Sequence, residues 1–224
     1  MLILILFLSV LSKVTTGEMF CDESPFIICP HPKLFTMIPT SVTEYNALCP
    51  ELKYYIQCLG KYQVKCGGTF EFFKSDEEYE SLVSAFSEFC EEGTLLNIIA
   101  TENLNCLNES FSANHCPEEM DTFLTVFQNS FFDDPEIIVD FPHTWKNCLE
   151  ETFFIACITE EISKNCGNIV KETALEVIHR TYTIQRACSA EDAKEFLENI
   201  DSIFLKRSYK NLIRYFMEKI IENE

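Results

Sequence analysis

Cys49-PELKYYIQ-Cys58-LGKYQVK-Cys66 is the stretch from which the fold can be read. Eight residues separate its first two cysteines and seven the next two. Its apolar positions Leu52, Tyr55, Ile56 and Leu59 fall at steps of three and four, the spacing of one face of an α-helix. Ser41-Val42-Thr43-Glu44 precedes it as a capping-box pattern, with Tyr45 and Leu48 opening the stripe. Pro50 leaves two alternatives: a helix kinked there, or a second helix that takes Pro50 as its first residue.

The pattern recurs in Cys148-LEETFFIA-Cys157-ITEEISKN-Cys166, with spacings of eight and eight. A glycine follows each triplet (Gly67, Gly167), and a further cysteine lies 24 or 22 residues past its last member (Cys90, Cys188). A repeat of this kind marks related structural units. Between and beyond them, Ser75-Asp76-Glu77-Glu78 caps a stripe of Tyr79, Leu82, Val83, Phe86 and Phe89. Residues 169–184 continue helical, and Ser189-Ala190-Glu191-Asp192 caps a last long segment. Strand signals are scarce. The expectation is an all-α, disulfide-stapled helical bundle of two related halves, about 40–105 and 143–190. Residues 106–141 join them, and one long helical segment, 190–221, closes the chain.

The compartment follows from the first residues and the cysteines. LILILFLSVL at residues 2–11, then Lys13 and Val14-Thr15-Thr16-Gly17, reads as a secretory signal peptide over 1–17, too short to span a bilayer. Residues 18–224 are then expected as a single disulfide-rich helical domain. Twelve cysteines, Cys21, Cys29, Cys49, Cys58, Cys66, Cys90, Cys106, Cys116, Cys148, Cys157, Cys166 and Cys188, make six bridges in an oxidising compartment if all pair. Secretion, an extracellular location and no integral membrane span are the expectations. Asn108-Glu109-Ser110 is the one N-x-S/T sequon and makes Asn108 a glycosylation candidate.

Helix geometry restricts the pairing. On one continuous helix, Cys148 and Cys157 lie about 13 Å apart on opposite faces, and Cys157 and Cys166 nearly so. A disulfide needs Cα atoms within roughly 7 Å. Cys188 can satisfy only one of the three, so at least one bridge must reach back before Trp145, which would integrate the chain covalently. A turn after Cys157 is the alternative, and would let Cys157 meet Cys166.

These cysteines, with Pro39-Thr40, Glu44, Cys90-Glu91-Glu92-Gly93-Thr94, Cys106-Leu107 and Asn165-Cys166-Gly167, resemble a family of secreted cysteine-rich arthropod proteins. That family includes haemolymph glycoproteins of about this size and many arachnid secreted proteins. A nematode secreted cysteine-rich domain of unknown function has a similar layout. The resemblance implies an extracellular, disulfide-stapled helical fold and no particular activity. Two adjacent cysteines would be expected to open the second half, whereas Asn147 precedes a lone Cys148.

Charge and motifs narrow the function by exclusion. With 36 Asp+Glu against 17 Lys+Arg the net charge is −19, which argues against nucleic acid as a partner. The four histidines, His31, His115, His143 and His179, lie in no metal or hydrolase motif. His115-Cys116 and Cys29-Pro30-His31 could be read as metal ligands, but the thiols are better spent in disulfides. No cofactor, metal site or catalytic residue is expected. The acidic pairs Glu91-Glu92, Glu118-Glu119, Glu150-Glu151 and Glu160-Glu161 read as solvated faces, since adjacent helical side chains point about 100° apart.

Two features retain a functional alternative. Lys206, Lys210 and Arg214, with Arg207 and Lys219, form a basic stripe that either meets an anionic partner or balances an acidic body. Phe70, Phe72, Phe73, Phe123, Phe127, Phe131 and Phe132 either fill the core or line an apolar cavity. The leading expectation is a non-enzymatic protein of extracellular fluid, acting through protein contacts or as a soluble component. The alternative is a carrier of small apolar ligands. Odorant-binding proteins share a C-x8-C spacing but also carry a C-x3-C that this chain lacks.

Overall fold

The computed structural model is described over residues 21–67, 71–112, 115–131, 143–201 and 205–222, and every regular element among them is a helix. The signal peptide expected over 1–17 lies outside the described residues, as do Phe70 and Phe132. Six disulfides staple these helices, so the fold is an all-α disulfide-stapled bundle. The chain divides into two compact units, Met1–Asn97 and Ile98–Glu224.

The first unit contains α1 (Pro25–Ile28), a 3₁₀ turn (Lys33–Phe35), α2 (Val42–Cys66) and α3 (Asp76–Cys90). A fourth helix, α4 (Leu95–Glu102), carries the chain across the boundary. Ser41 accepts from the N–H of Glu44 and Ser75 from that of Glu78, as the cap patterns predict. The returning carboxylates reach one residue further than a capping box requires. Glu44 accepts from the N–H of Thr40, and Glu78 from that of Lys74. At Ser189 the returning residue is Asp192, one methylene shorter, and it bonds the N–H of the cap residue itself.

Helix α2 runs through Pro50 without a second start. Pro50 supplies no N–H to the carbonyl of Asn46, but both residues are exposed, where solvent can take the place of the missing donor. Its inner face buries Tyr55, Ile56 and Leu59 against Phe73 and Leu82. Gly60 permits the close approach of α3: a Cβ there would sit 2.5 Å from the ring of Tyr79. Gln63 fastens the segment between the helices. Its Oε1 accepts from the N–H groups of Phe72 and Phe73 at 2.7 and 2.9 Å, and its Nε2 donates to the carbonyl of Phe73 at 2.8 Å.

The second unit holds α5 (Leu104–Ser112), α6 (Cys116–Phe131), α7 (His143–Cys166), α8 (Asn168–Arg180), α9 (Thr183–Ala187), α10 (Ala190–Asn199) and α11 (Arg207–Glu222). Helix α7 is central, packing on all six of the others. Its sequence fits that position, because Leu149, Phe153, Ile155, Ala156, Ile158 and Ile162 are buried around its circumference. Two buried hydroxyls among its described residues, Thr152 and Thr159, donate to carbonyls one turn back, at 2.6 Å each.

Two expected helices are each broken in two. The run 169–184 ends at Arg180, and Tyr182 adopts φ 53°, the left-handed region, before α9 begins. The segment 190–221 is α10 and α11, packed on each other. A single helix of that length would extend about 48 Å. Breaking it lets Phe196 and Ile200 of one part share a core with Tyr209, Ile213, Phe216 and Met217 of the other.

The bridges are Cys21–Cys66, Cys29–Cys58 and Cys49–Cys90 in the first unit, and Cys106–Cys166, Cys116–Cys157 and Cys148–Cys188 in the second. Helix α7 is continuous, and none of its three cysteines bonds another, as its geometry demands. Numbered within each unit, both sets pair first with fifth, second with fourth and third with sixth. Six cysteines allow fifteen pairings. The repeat is therefore a six-cysteine unit, Cys21 to Cys90 and Cys106 to Cys188, longer than the halves at 40–105 and 143–190. Cys106 and Cys116 belong to the second repeat and not to a connector. Two bridges do reach back before Trp145, yet they close within Ile98–Glu224, so covalent integration of the whole chain does not follow.

Candidate functional site

Helices α6, α7 and α11 of the second unit border a cleft of about 370 Å³. Phe123 from α6 and Phe153 from α7 supply its floor, stacked at 4.9 Å with rings 6° from parallel. Tyr209 from α11 meets Phe153 edge-on at 5.5 Å, and Leu205 and Thr122 complete the walls. Both phenylalanines are buried in the core cluster, so the floor is fixed by packing.

The rim is charged. The ammonium of Lys206 donates to both carboxylate oxygens of Glu119 at 2.8 Å and lies 3.3 Å from the hydroxyl of Tyr209. That hydroxyl donates to Glu119 Oε2 at 2.9 Å and sits 3.4 Å from Sγ of Cys157, tying the rim to the Cys116–Cys157 bridge. Burial alone would raise the Glu119 carboxyl, but the hydrogen bonds from Lys206 and Tyr209 and the charge of Lys206 outweigh it and hold it below the usual range. Burial pushes the Tyr209 phenol up, and the bond to Glu119 raises the Lys206 ammonium. Glu118 completes the rim, and among the described residues no ion pair engages it.

A second surface lies on the first unit. Phe26 stacks on His31 at 5.5 Å, His31 packs on Tyr55 at 5.3 Å, and Phe35 meets Tyr55 edge-on at 5.6 Å. Phe26 and Phe35 remain 48 % and 52 % exposed, with Ile27 and Met37 also exposed. The cluster is anchored by the Cys29–Cys58 bridge and by the N–H of Lys33 on Glu51 Oε2 at 3.1 Å.

The other sequence candidates fall as follows. His115 and His179 are exposed, and the side chain of His143 lies outside the described residues. All twelve cysteines are in disulfides, and no group of three or more His, Cys, Asp or Glu among the described residues could hold a metal. Asn108 is half-buried on α5, its Oδ1 accepting from Ser112, while Ser110 of the sequon is buried. The basic stripe is engaged locally: besides Lys206, Arg214 pairs with Asp201 at 2.9 Å, and Lys210 donates to the carbonyl of Asp201 at 3.1 Å. Phe73 is core and Phe123 is cleft floor, whereas the side chains of Phe127 and Phe131 are outside the described residues.

The residues that sequence reading missed are Gln63 and Tyr209. Each acts through partners that no local pattern announces. No helix among the described residues is long and apolar enough to cross a membrane. No family model, no curated protein and no solved structure matches the chain.

Proposed function

We propose that this chain is a secreted, non-enzymatic protein of extracellular fluid that acts through protein contacts. Six disulfides favour the oxidising compartment. The observation that carries the reading is the exposed aromatic group of Phe26, His31 and Phe35, packed on the buried ring of Tyr55. Rigid aromatic side chains present large contact area at small entropic cost, the chemistry of interface anchors. Cross-linking in the source fluid followed by mass spectrometry tests it. The wild type should join a defined protein partner that a Phe26→Ser, Phe35→Ser double variant loses, and equal cross-linking by the two would reject the cluster as the contact.

A second reading, a carrier of small ligands with apolar bodies, is favoured by the cleft. Its volume and its apolar floor with a few polar rim groups match small-molecule sites. Native mass spectrometry of material from the source should then show a retained small molecule.

A further inference from the structure

We propose that the cleft between α6, α7 and α11 takes an organic ammonium ion with an aromatic body. The ring would lie against Phe123 and Phe153 and the nitrogen would meet Glu118. The proposal rests on the carrier reading and adds the chemical class of the ligand. Among the described residues, the charged ones that line the cleft are Glu118, Glu119 and Lys206. Lys206, the cation among these, is spent, because its three donors go to both oxygens of Glu119 and to the hydroxyl of Tyr209. Glu119 is spent with it, accepting from Lys206 and Tyr209.

What the rim leaves for a ligand is the carboxylate of Glu118, which no ion pair engages among the described residues. An anionic ligand would have to displace Glu119 from Lys206 and then sit beside two carboxylates. A cation meets Glu118 without breaking any bond. The chain's net charge of −19 acts in the same direction, drawing cations toward the surface. The cleft already holds one ammonium against an aromatic face, since Lys206 Nζ lies 4.9 Å from the centroid of Tyr209. Aromatic rings at the floor favour an aromatic body over an aliphatic one, through edge and stacking contacts.

The test is calorimetric titration of the full secreted chain with three probes that share one ring: tryptamine, neutral 3-ethylindole and anionic indole-3-propionate. Tryptamine should bind most tightly. Glu118→Gln should weaken it about tenfold, the order of one charge-assisted hydrogen bond, while leaving 3-ethylindole unchanged and the helical circular dichroism intact. Raising the salt should weaken tryptamine alone. If indole-3-propionate or 3-ethylindole binds as well as tryptamine, or if Glu118→Gln leaves tryptamine untouched, the ammonium assignment is overturned and the carrier reading stands. If none of the three binds, both fall.

Discussion

Lys206 holds both carboxylate oxygens of Glu119 at 2.8 Å across 87 residues of sequence, and Tyr209 joins them from the next turn of chain. This triad closes one side of the cleft and docks the start of α11 on α6. Its energetic weight is modest, because both charged groups are partly in water.

The triad makes a pH prediction with a definite sign. Glu119 has a carboxyl pKa lowered by folding, so its contribution is present above the unfolded carboxylate pKa and is lost as pH falls through the folded value. Glu151 has the opposite sign: burial raises it, so it costs stability as pH rises through the carboxylate range. Thermal melts of wild type and Glu119→Gln should therefore differ at neutral pH, by less than about 1 kcal/mol, and coincide below the carboxylate range. A gap that persists in acid would show that the carboxylate's charge is not what Glu119 contributes.

Gln63→Ala should destabilise the first unit by roughly 2–3 kcal/mol, since three hydrogen bonds of about 1 kcal/mol each are lost together. Hydrogen exchange localises the effect: the amides of Phe72 and Phe73 should lose protection while those of α7 keep theirs. Gln63→Glu should recover part of the loss, because it retains the acceptor and lacks only the donor.

Gly60→Ala should also destabilise, although alanine is the better helix former by about 1 kcal/mol. The added methyl meets the ring of Tyr79 at 2.5 Å, and overpacking costs typically 1–3 kcal/mol. Urea melts of a double-mutant cycle settle the cause. In a Tyr79→Ala background the same substitution should become neutral or stabilising.

Cleavage after Glu91 or Glu92, exposed between α3 and α4, should yield two fragments that separate on a denaturing gel without reductant. No bridge spans that point. A single band that needs reductant to resolve would contradict the pairing, as would peptide mapping that found Cys90 bonded to anything but Cys49.

Much of this fold can be read from the cysteine triplets. A helix that carries cysteines nine residues apart cannot bridge them to one another, so each must recruit a partner from another element, and the bundle follows. The extent of the repeat was hidden for a physical reason. The step from second to third cysteine is 20 residues in the first unit and 32 in the second, because the chain between two stapled helices tolerates insertion at small entropic cost. The breaks at Tyr182 and after Asn199 were hidden because each half has helical periodicity of its own, and only a shared core decides that they turn. In the cleft, Phe123, Glu118 and Lys206 were visible as residue types. Nothing local brings Glu119 to a lysine 87 positions later.

The segregation of the bridges into two sets also governs how the chain is made. Cys90 completes the first set of six, and Cys106, the first cysteine of the second set, follows 16 residues later. At synthesis rates of roughly 5–20 residues per second that interval is about one to three seconds. In the oxidising compartment proposed for the chain, an oxidase would meet for that time one complete set of thiols and no competitor from the other. Vectorial emergence thus splits a twelve-thiol sorting problem into two six-thiol problems with the same solution, and the order of birth enforces the division between them.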